Sequence, residues 1–547
     1  MKILLTFLFL ICLTISSQTF SQIITKENIE GAEKIIGLKF TDAERDSMLS
    51  SLDSQLVNYE HMRDISLKNS IPPAITFNPI PVGFEFPKEQ KQIRFSDYSH
   101  TKLPEDINDL AYYSTGELAE LIRTKQITST KLTKFFLERL KKYDPALHCV
   151  IALTEERALR QAKLMDDEIA AGKYRGLLHG IPFGVKDLLA TKDYKTTWGA
   201  MPYKEQMIDE DATVIKKLED AGAVLCAKLT MGALAWGDVW YGGKTRTPWD
   251  TSKGSSGSSA GSASSVAAGL LPFAIGTETW GSIVSPSTMC GTTGLRPSYG
   301  RVSRTGAMAL SWSMDKIGPI CRSAEDLAIV FSVIQGPDGI DQTLYDLPFN
   351  YTPDIDIKKL RVGYLKNDFD KDYAFHKNDS LALAKLKELG VDLIAIELPD
   401  IPVNDIAFIL SAEAGAAFDG LTRSNMDNLM VRQIKDAWPN VFRASRFIPA
   451  VEYINANRIR YLLIQKMERL MKSIDLYIAP SRVGDNLLMN NLTGHPCVVL
   501  PTGFSDGGIP TSITFVGRLF DEGRLISFAK FYQYATGFNK MHPKDFK

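Results

Sequence analysis

The chain has 547 residues, 44 % hydrophobic and 23 % charged, with 63 Lys+Arg against 64 Asp+Glu and a formal net charge of −1. That length supports a sizeable core and more than one domain, and the balance is ordinary for a globular protein. No basic face or tail stands out, which speaks against a protein built to bind nucleic acid or an anionic membrane surface.

In chain order, the first element is MKILLTFLFLICLTISSQTFSQ. Lys2 precedes a thirteen-residue, mostly apolar run, Ile3–Ile15. The run is too short to cross a bilayer comfortably and suits the h-region of a bacterial-type signal peptide. Thr19 and Ser21 put small residues at −3 and −1 of a cleavage site. Residues 1–21 are therefore expected to be a signal peptide, cut before Gln22, with export to the periplasm or the exterior. Cys12 follows Ile11 in a poor lipobox, so no stable membrane anchor is expected after cleavage; a retained N-terminal anchor is the alternative.

Residues 22–95 read as a helical extension followed by a strap. Phe40-Thr41-Asp42-Ala43-Glu44 has the form of a helix start, with Met48, Leu49 and Leu52 at near-helical spacing. IPPAITFNPIPVGFEFP then supplies five prolines in seventeen residues, which predicts extended chain laid against the main body.

Residues 96–547 alternate helix and strand. Ser114-x-x-Glu117 is a capping box, and Leu132, Phe135, Phe136 and Leu140 form one face of the next helix. CVIAL, HGIPFGVKD and AVLCAKL read as strands, TEERALRQAKLMDDEIAAG and DATVIKKLEDAGAV as helices. The alternation argues for an α/β class. Lys253–Gly269, KGSSGSSAGSASSVAAG, has linker composition but runs without a break into a small-residue helix and an apolar strand, so it is read as part of the body. Residues 335–480 are more polar and variable in pattern, suited to walling a substrate pocket. Cys226 and Cys497 lie in apolar runs as buried hydrophobes. There is no CxxC, no HExxH and no metal-ligand spacing, so no metal and no cofactor are implied.

Three stretches could carry chemistry. Gly257–Gly261, GSSAG, matches G-x-S-x-G with Ser259 at the nucleophile position, as in a Ser-His esterase. The preceding TPWDTSKGS is not the buried strand such an elbow needs, and no downstream histidine is an evident helper. GGKT lacks the upstream glycine of a phosphate loop, since that position is Asp238. Lys186 emerges from the apolar run Ile181, Phe183, Val185. A desolvated lysine loses its proton more readily and can serve as the base for a serine, and Ser-Lys pairs are a known substitute for Ser-His.

HGIPFGVKD (His179–Asp187), the run Ser255–Arg304 containing GTETWGSIVSP, and MNNLTGHPCVVLPTGF (Met489–Phe504) together resemble the amidase signature family over roughly residues 100–540. The resemblance implies an α/β fold with a large mixed β-sheet covered by helices on both faces. It implies a catalytic set of Lys186, bridging Ser258 and acylated Ser282. It further implies an oxyanion hole from the backbone of Thr279, Trp280, Gly281 and Ser282, with Ser259, Glu278 and Asp187 in support. The reaction implied is cleavage of a carboxamide C–N bond to acid plus ammonia or amine. Its partner would be a small-molecule or peptide amide, and homodimerisation stays open. Two positions depart from the family pattern. Trp280 replaces a glycine, which predicts a narrower or aromatic-walled pocket unless the ring packs inward. Val284 replaces an arginine that binds a substrate carboxylate in some members. That favours the peptide-amidase-like branch and apolar-flanked amides over the alternative, a glutaminase like the catalytic chain of a tRNA-dependent amidotransferase.

Overall fold

The computed structural model describes residues 24–547; the expected signal segment, residues 1–21, lies outside the described residues. The described chain divides into two compact units, one ending at Lys68 and one spanning Asn69–Lys547. In the smaller unit, helices Lys26–Ile36 and Asp42–Arg63 each start at a capping box, Thr25 with Asn28 and Thr41 with Glu44. Arg45 joins the two helices by an ion pair to Glu33 at 2.8 Å. The prolines after Ile71 keep the strap extended, and residues 69–95 fall within the larger unit.

The larger unit is organised on an eleven-stranded sheet. In chain order its strands are β1 (Val150–Leu153), β2 (Pro182–Lys186), β3 (Val224–Leu229), β4 (Phe273–Glu278), β5 (Thr293–Arg296), β6 (Lys316–Cys321), β7 (Val362–Leu365), β8 (Leu393–Ile396), β9 (Leu476–Pro480), β10 (Cys497–Phe504) and β11 (Pro510–Gly517). Their spatial order is β1-β3-β2-β4-β6-β5-β10-β11-β9-β7-β8. Parallel pairings (β2 with β3 and β4, β7 with β8 and β9) are mixed with antiparallel ones (β4 with β6, β10 with β11), as expected for a large mixed sheet. Every residue of β2 to β6 is buried, so both faces of the centre are covered, whereas edge strand β8 is half exposed. Phe183 and Phe273 face each other across β2 and β4 with rings stacked at 5.5 Å.

The glycine- and serine-rich tract is a buried element of this core. Ala260–Ala267 forms a helix with every residue buried. A Cβ at Gly261 would lie 2.3 Å from the Cys149 carbonyl oxygen and 2.5 Å from the Thr230 nitrogen. Only small side chains let this helix approach β1 and β3, which is why the composition imitates a linker. The Ser114 capping box and the alternating elements after it form as expected. Among the described residues no helix is long and apolar enough to cross a membrane. The five described cysteines, Cys226 and Cys497 included, are buried and unpaired.

Candidate active site

β2 and β4 run parallel side by side, and the carboxyl ends of such strands are where open α/β sheets present functional groups. Lys186 ends β2, and its Nζ lies 2.8 Å from Thr277 Oγ1 on β4. The loop before the buried helix carries a cis peptide bond between Gly257 and Ser258. That loop brings Ser258 Oγ to 2.7 Å and Ser259 Oγ to 3.3 Å from the amine. A Cβ at Gly257 would sit 1.9 Å from the Gly237 carbonyl oxygen, so the loop passes that backbone only because residue 257 has no side chain.

Lys186 is fully buried with no carboxylate in hydrogen-bond contact. Burial disfavours its charged form and brings the amine down to about 7, while Asp315 and Glu278 pull the other way. The neutral amine, with a free lone pair, is thereby accessible near pH 7.

Ser282 keeps a little contact with solvent. It is 7 % exposed, whereas Lys186 and Ser258 are at 0 %. The Ser259 N–H donates to the Ser282 carbonyl at 3.1 Å, tying the two serine loops together. The structure does not join the Ser258 and Ser282 hydroxyls by a direct hydrogen bond. Ser259 braces β4 instead: its hydroxyl donates to the Thr277 carbonyl at 3.0 Å and accepts from the Thr277 N–H at 3.1 Å. No histidine contacts it, so the Ser-His esterase arrangement is absent among the described residues.

The turn Thr279–Ser282 is held from both ends. Gly281 has φ +84°, a conformation natural to glycine, and a Cβ there would meet Leu487 at 3.1 Å. Glu278 accepts from the Ile283 and Val284 N–H groups at 2.8 and 3.0 Å with one oxygen. Its other oxygen accepts from Arg296 at 2.8 Å and Asn491 at 2.9 Å. Burial works against the Glu278 charge, but Arg296 and these donors prevail and hold the carboxyl down to about 2. Trp280 is 43 % exposed, so the ring does not pack into the core. Val284 is fully buried in the core and leaves no cation at its position. Asp187 faces Thr197 and the buried Lys228, 3.1 Å away, rather than the serines.

Two contributors escape a reading of the sequence. Thr277 lies just before Glu278 within the same run, and strand alternation would have turned it toward Lys186. Asp315 accepts from Thr279 Oγ1 at 2.5 Å and from the Leu310 and Ser311 N–H groups at 2.8 and 2.9 Å. Its only signal is an acid directly before the apolar β6. The loop carrying Asp315 is itself clamped: Glu413 accepts from Ser311 Oγ and Ser313 Oγ, each at 2.7 Å, and Arg460 donates to Ser313 Oγ at 2.8 Å. Both clamping residues come from the polar 335–480 region, and they border a cavity of about 1380 Å³ that Thr277, Thr279 and Asp315 also line.

Comparison with known proteins places this geometry. The family model described as Amidase matches residues 131–486. Among curated proteins, the A chain of the glutamyl-tRNA(Gln) amidotransferase of Coxiella burnetii is 33 % identical over 477 residues, covering 78 % of this chain and 98 % of that protein. Its counterpart in Carboxydothermus hydrogenoformans is 31 % identical over 487 residues, covering 80 % and 100 %. Among solved structures, the native peptide amidase from Stenotrophomonas maltophilia superposes with a TM-score of 0.70 at 27 % identity, covering 79 % of this chain and 98 % of its own. A match over most of the chain, on a sheet whose buried lysine meets a serine loop, shows that the chain belongs to the amidase signature family and is a hydrolase of amide C–N bonds.

Proposed function

We propose that the protein is an exported amidohydrolase that opens a carboxamide through a Lys186–Ser258–Ser282 relay and an acyl-enzyme on Ser282. The observation that carries this reading is a buried amine, brought down to about 7, at 2.7 Å from Ser258. The neutral Lys186 takes the Ser258 proton, Ser258 takes the Ser282 proton, and Ser282 Oγ attacks the amide carbonyl carbon. The carbonyl π pair moves onto oxygen, which the backbone N–H groups of Thr279 to Ser282 receive, a contribution worth a few kcal/mol of barrier. Collapse breaks the C–N bond as Ser258, resupplied by Lys186, protonates the leaving nitrogen. Water then releases the acid by the same route. The missing Ser258–Ser282 hydrogen bond closes when substrate arrives, as catalytic hydrogen bonds commonly do.

The buried Val284 and the exposed Trp280 support apolar-flanked amides, C-terminal peptide amides among them, as in the peptide-amidase-like branch. The curated relatives favour a second reading, a glutaminase like the A chain of those amidotransferases. The apolar run Ile3–Ile15, read as a signal peptide, and the lack of a cation at residue 284 weigh against it. Ammonia release by the chain starting at Gln22 decides between them, measured on peptide amides, aryl and aliphatic amides and free glutamine, with Lys186→Ala and Ser282→Ala as controls. Release from apolar-flanked amides, lost in both variants, is expected. Release from free glutamine alone overturns the first reading in favour of the second.

A further inference from the structure

The cavity beside Thr277 and Thr279 has a roof from outside the matched family segment: Asn69, Ser70 and residues 72–78 of the strap line it. This arch is pinned at both ends. The Asn69 side chain donates to the Ala309 carbonyl at 2.8 Å and accepts from the Ala309 N–H at 2.7 Å. Phe77 lies over the Arg460 guanidinium at 3.6 Å and meets the Tyr299 ring edge-on at 5.0 Å. Between the pins the apolar side chain of Ile75 has little protein against it, being 85 % exposed. Exposed apolar surface continuous with a cavity is the mark of a ligand site.

The buried charges around this cavity are satisfied from within, and the exposed Glu210 and Arg458 also line it, without an ion-pair partner among the described residues. Arg304 pairs with Asp341 at 3.1 Å, Glu413 accepts from Ser311, Ser313 and Tyr453, and Arg460 donates to Ser313 and to the Leu492 carbonyl. Beside them a ligand meets apolar and aromatic wall: the strap, Met308, Trp312, and Ile454, Tyr461 and Ile464 of helix Ala450–Ser473.

We propose that the arch Asn69–Asn78 and helix Ala450–Ser473 form a subsite for an uncharged apolar alkyl or aryl group attached to the scissile amide, making the strap the specificity-determining element of the enzyme. The inference rests on the amide-hydrolase reading for the identity of the reacting bond. The size of the cavity sets the class: the group is bulky, well beyond a methyl or ethyl.

Calorimetric titration of the full-length Ser282→Ala protein with straight-chain primary amides, butanamide through decanamide, reads the subsite without turnover. Each added methylene tightens binding by up to about fourfold until the cavity is filled. Phe77→Ala and Ile75→Ser both flatten this dependence; residue 75 is exposed enough that its replacement leaves the fold intact. Affinity independent of chain length, or an equal length dependence in both strap variants, overturns the proposal. Ammonia release from the same amides by the protein retaining Ser282 reports separately on the chemistry. Length-dependent binding without ammonia keeps the subsite and removes the amidase reading; ammonia without length dependence does the reverse.

Discussion

Lys186 is an amine held where water cannot reach it, and two measurable consequences follow at the level of single residues. Its folded value of about 7 lies below the ordinary 10.5, so between those limits the unfolded chain binds a proton that the folded chain does not. Stability linked to this group therefore rises with pH from about 7 toward 10.5. Lys186→Met removes the penalty, and its melting temperature is expected to exceed that of the wild type most at pH 7, with a gap that narrows by pH 9.5. A constant gap would mean that the amine is not desolvated. Asp315 and Glu278 both favour the protonated amine. In Asp315→Asn the acidic limb of kcat/KM moves to lower pH, by up to about one unit, alongside a loss of rate from the freed Thr279. An unmoved limb would show that Asp315 only braces its loop. The meeting of Lys186 with the serine loop was legible through the family resemblance that the short, distinctive runs around Lys186, Ser258 and Ser282 carry. Asp315 was not, because antiparallel pairing of β4 with β6 puts Lys316 opposite Glu278 and so carries its neighbour to the site across a gap no local pattern spans.

At the scale of elements, composition misleads and packing decides. The tract Lys253–Gly269 looks like a tether, yet its helix lies wholly inside because nothing larger than serine, alanine or valine fits there. Gly261→Ala forces a methyl against two backbone atoms of neighbouring strands and is expected to cost at least about 1–3 kcal/mol, seen as a lower denaturation midpoint at unchanged slope. Gly31, inside helix Lys26–Ile36 with open space around it, gives the opposite sign: alanine there stabilises its helix by about 0.5–1 kcal/mol. The helix start at Thr41 and the capping box at Ser114 were legible since they are local. Sheet order was not. The contacts between β5 and β10, or β6 and β4, join segments whose pairing is set by burial of whole faces.

Across the whole molecule, Glu278 ties the parts together: it ends β4, pairs with Arg296 of β5, receives Asn491 from helix Asn486–Thr493, and seats the helix that follows Ser282. Glu278→Gln leaves the fully buried Arg296 without its counter-charge and is expected to cost about 3–5 kcal/mol, with activity falling in step as the nucleophile turn loosens. Denaturant unfolding monitored by tryptophan fluorescence checks the first, single-turnover acylation the second. Because its folded carboxyl is held below the ordinary 4.5, Glu278 contributes stability that is complete above pH 4.5 and is lost as pH falls toward 2. The variant should therefore lie closest to the wild type at the acid end of that range, and a uniform difference would sink the assignment.

The buried cysteines add a last consequence. All five described thiols are enclosed, and burial pushes each of them up, away from the reactive thiolate. In an oxidising medium their reduced state is then preserved by enclosure, not by the surroundings. Oxidation of any of these five thiols records a moment when the fold was open, so slow ageing in aerated buffer, read at the thiols, doubles as a clock for rare breathing motions of the core.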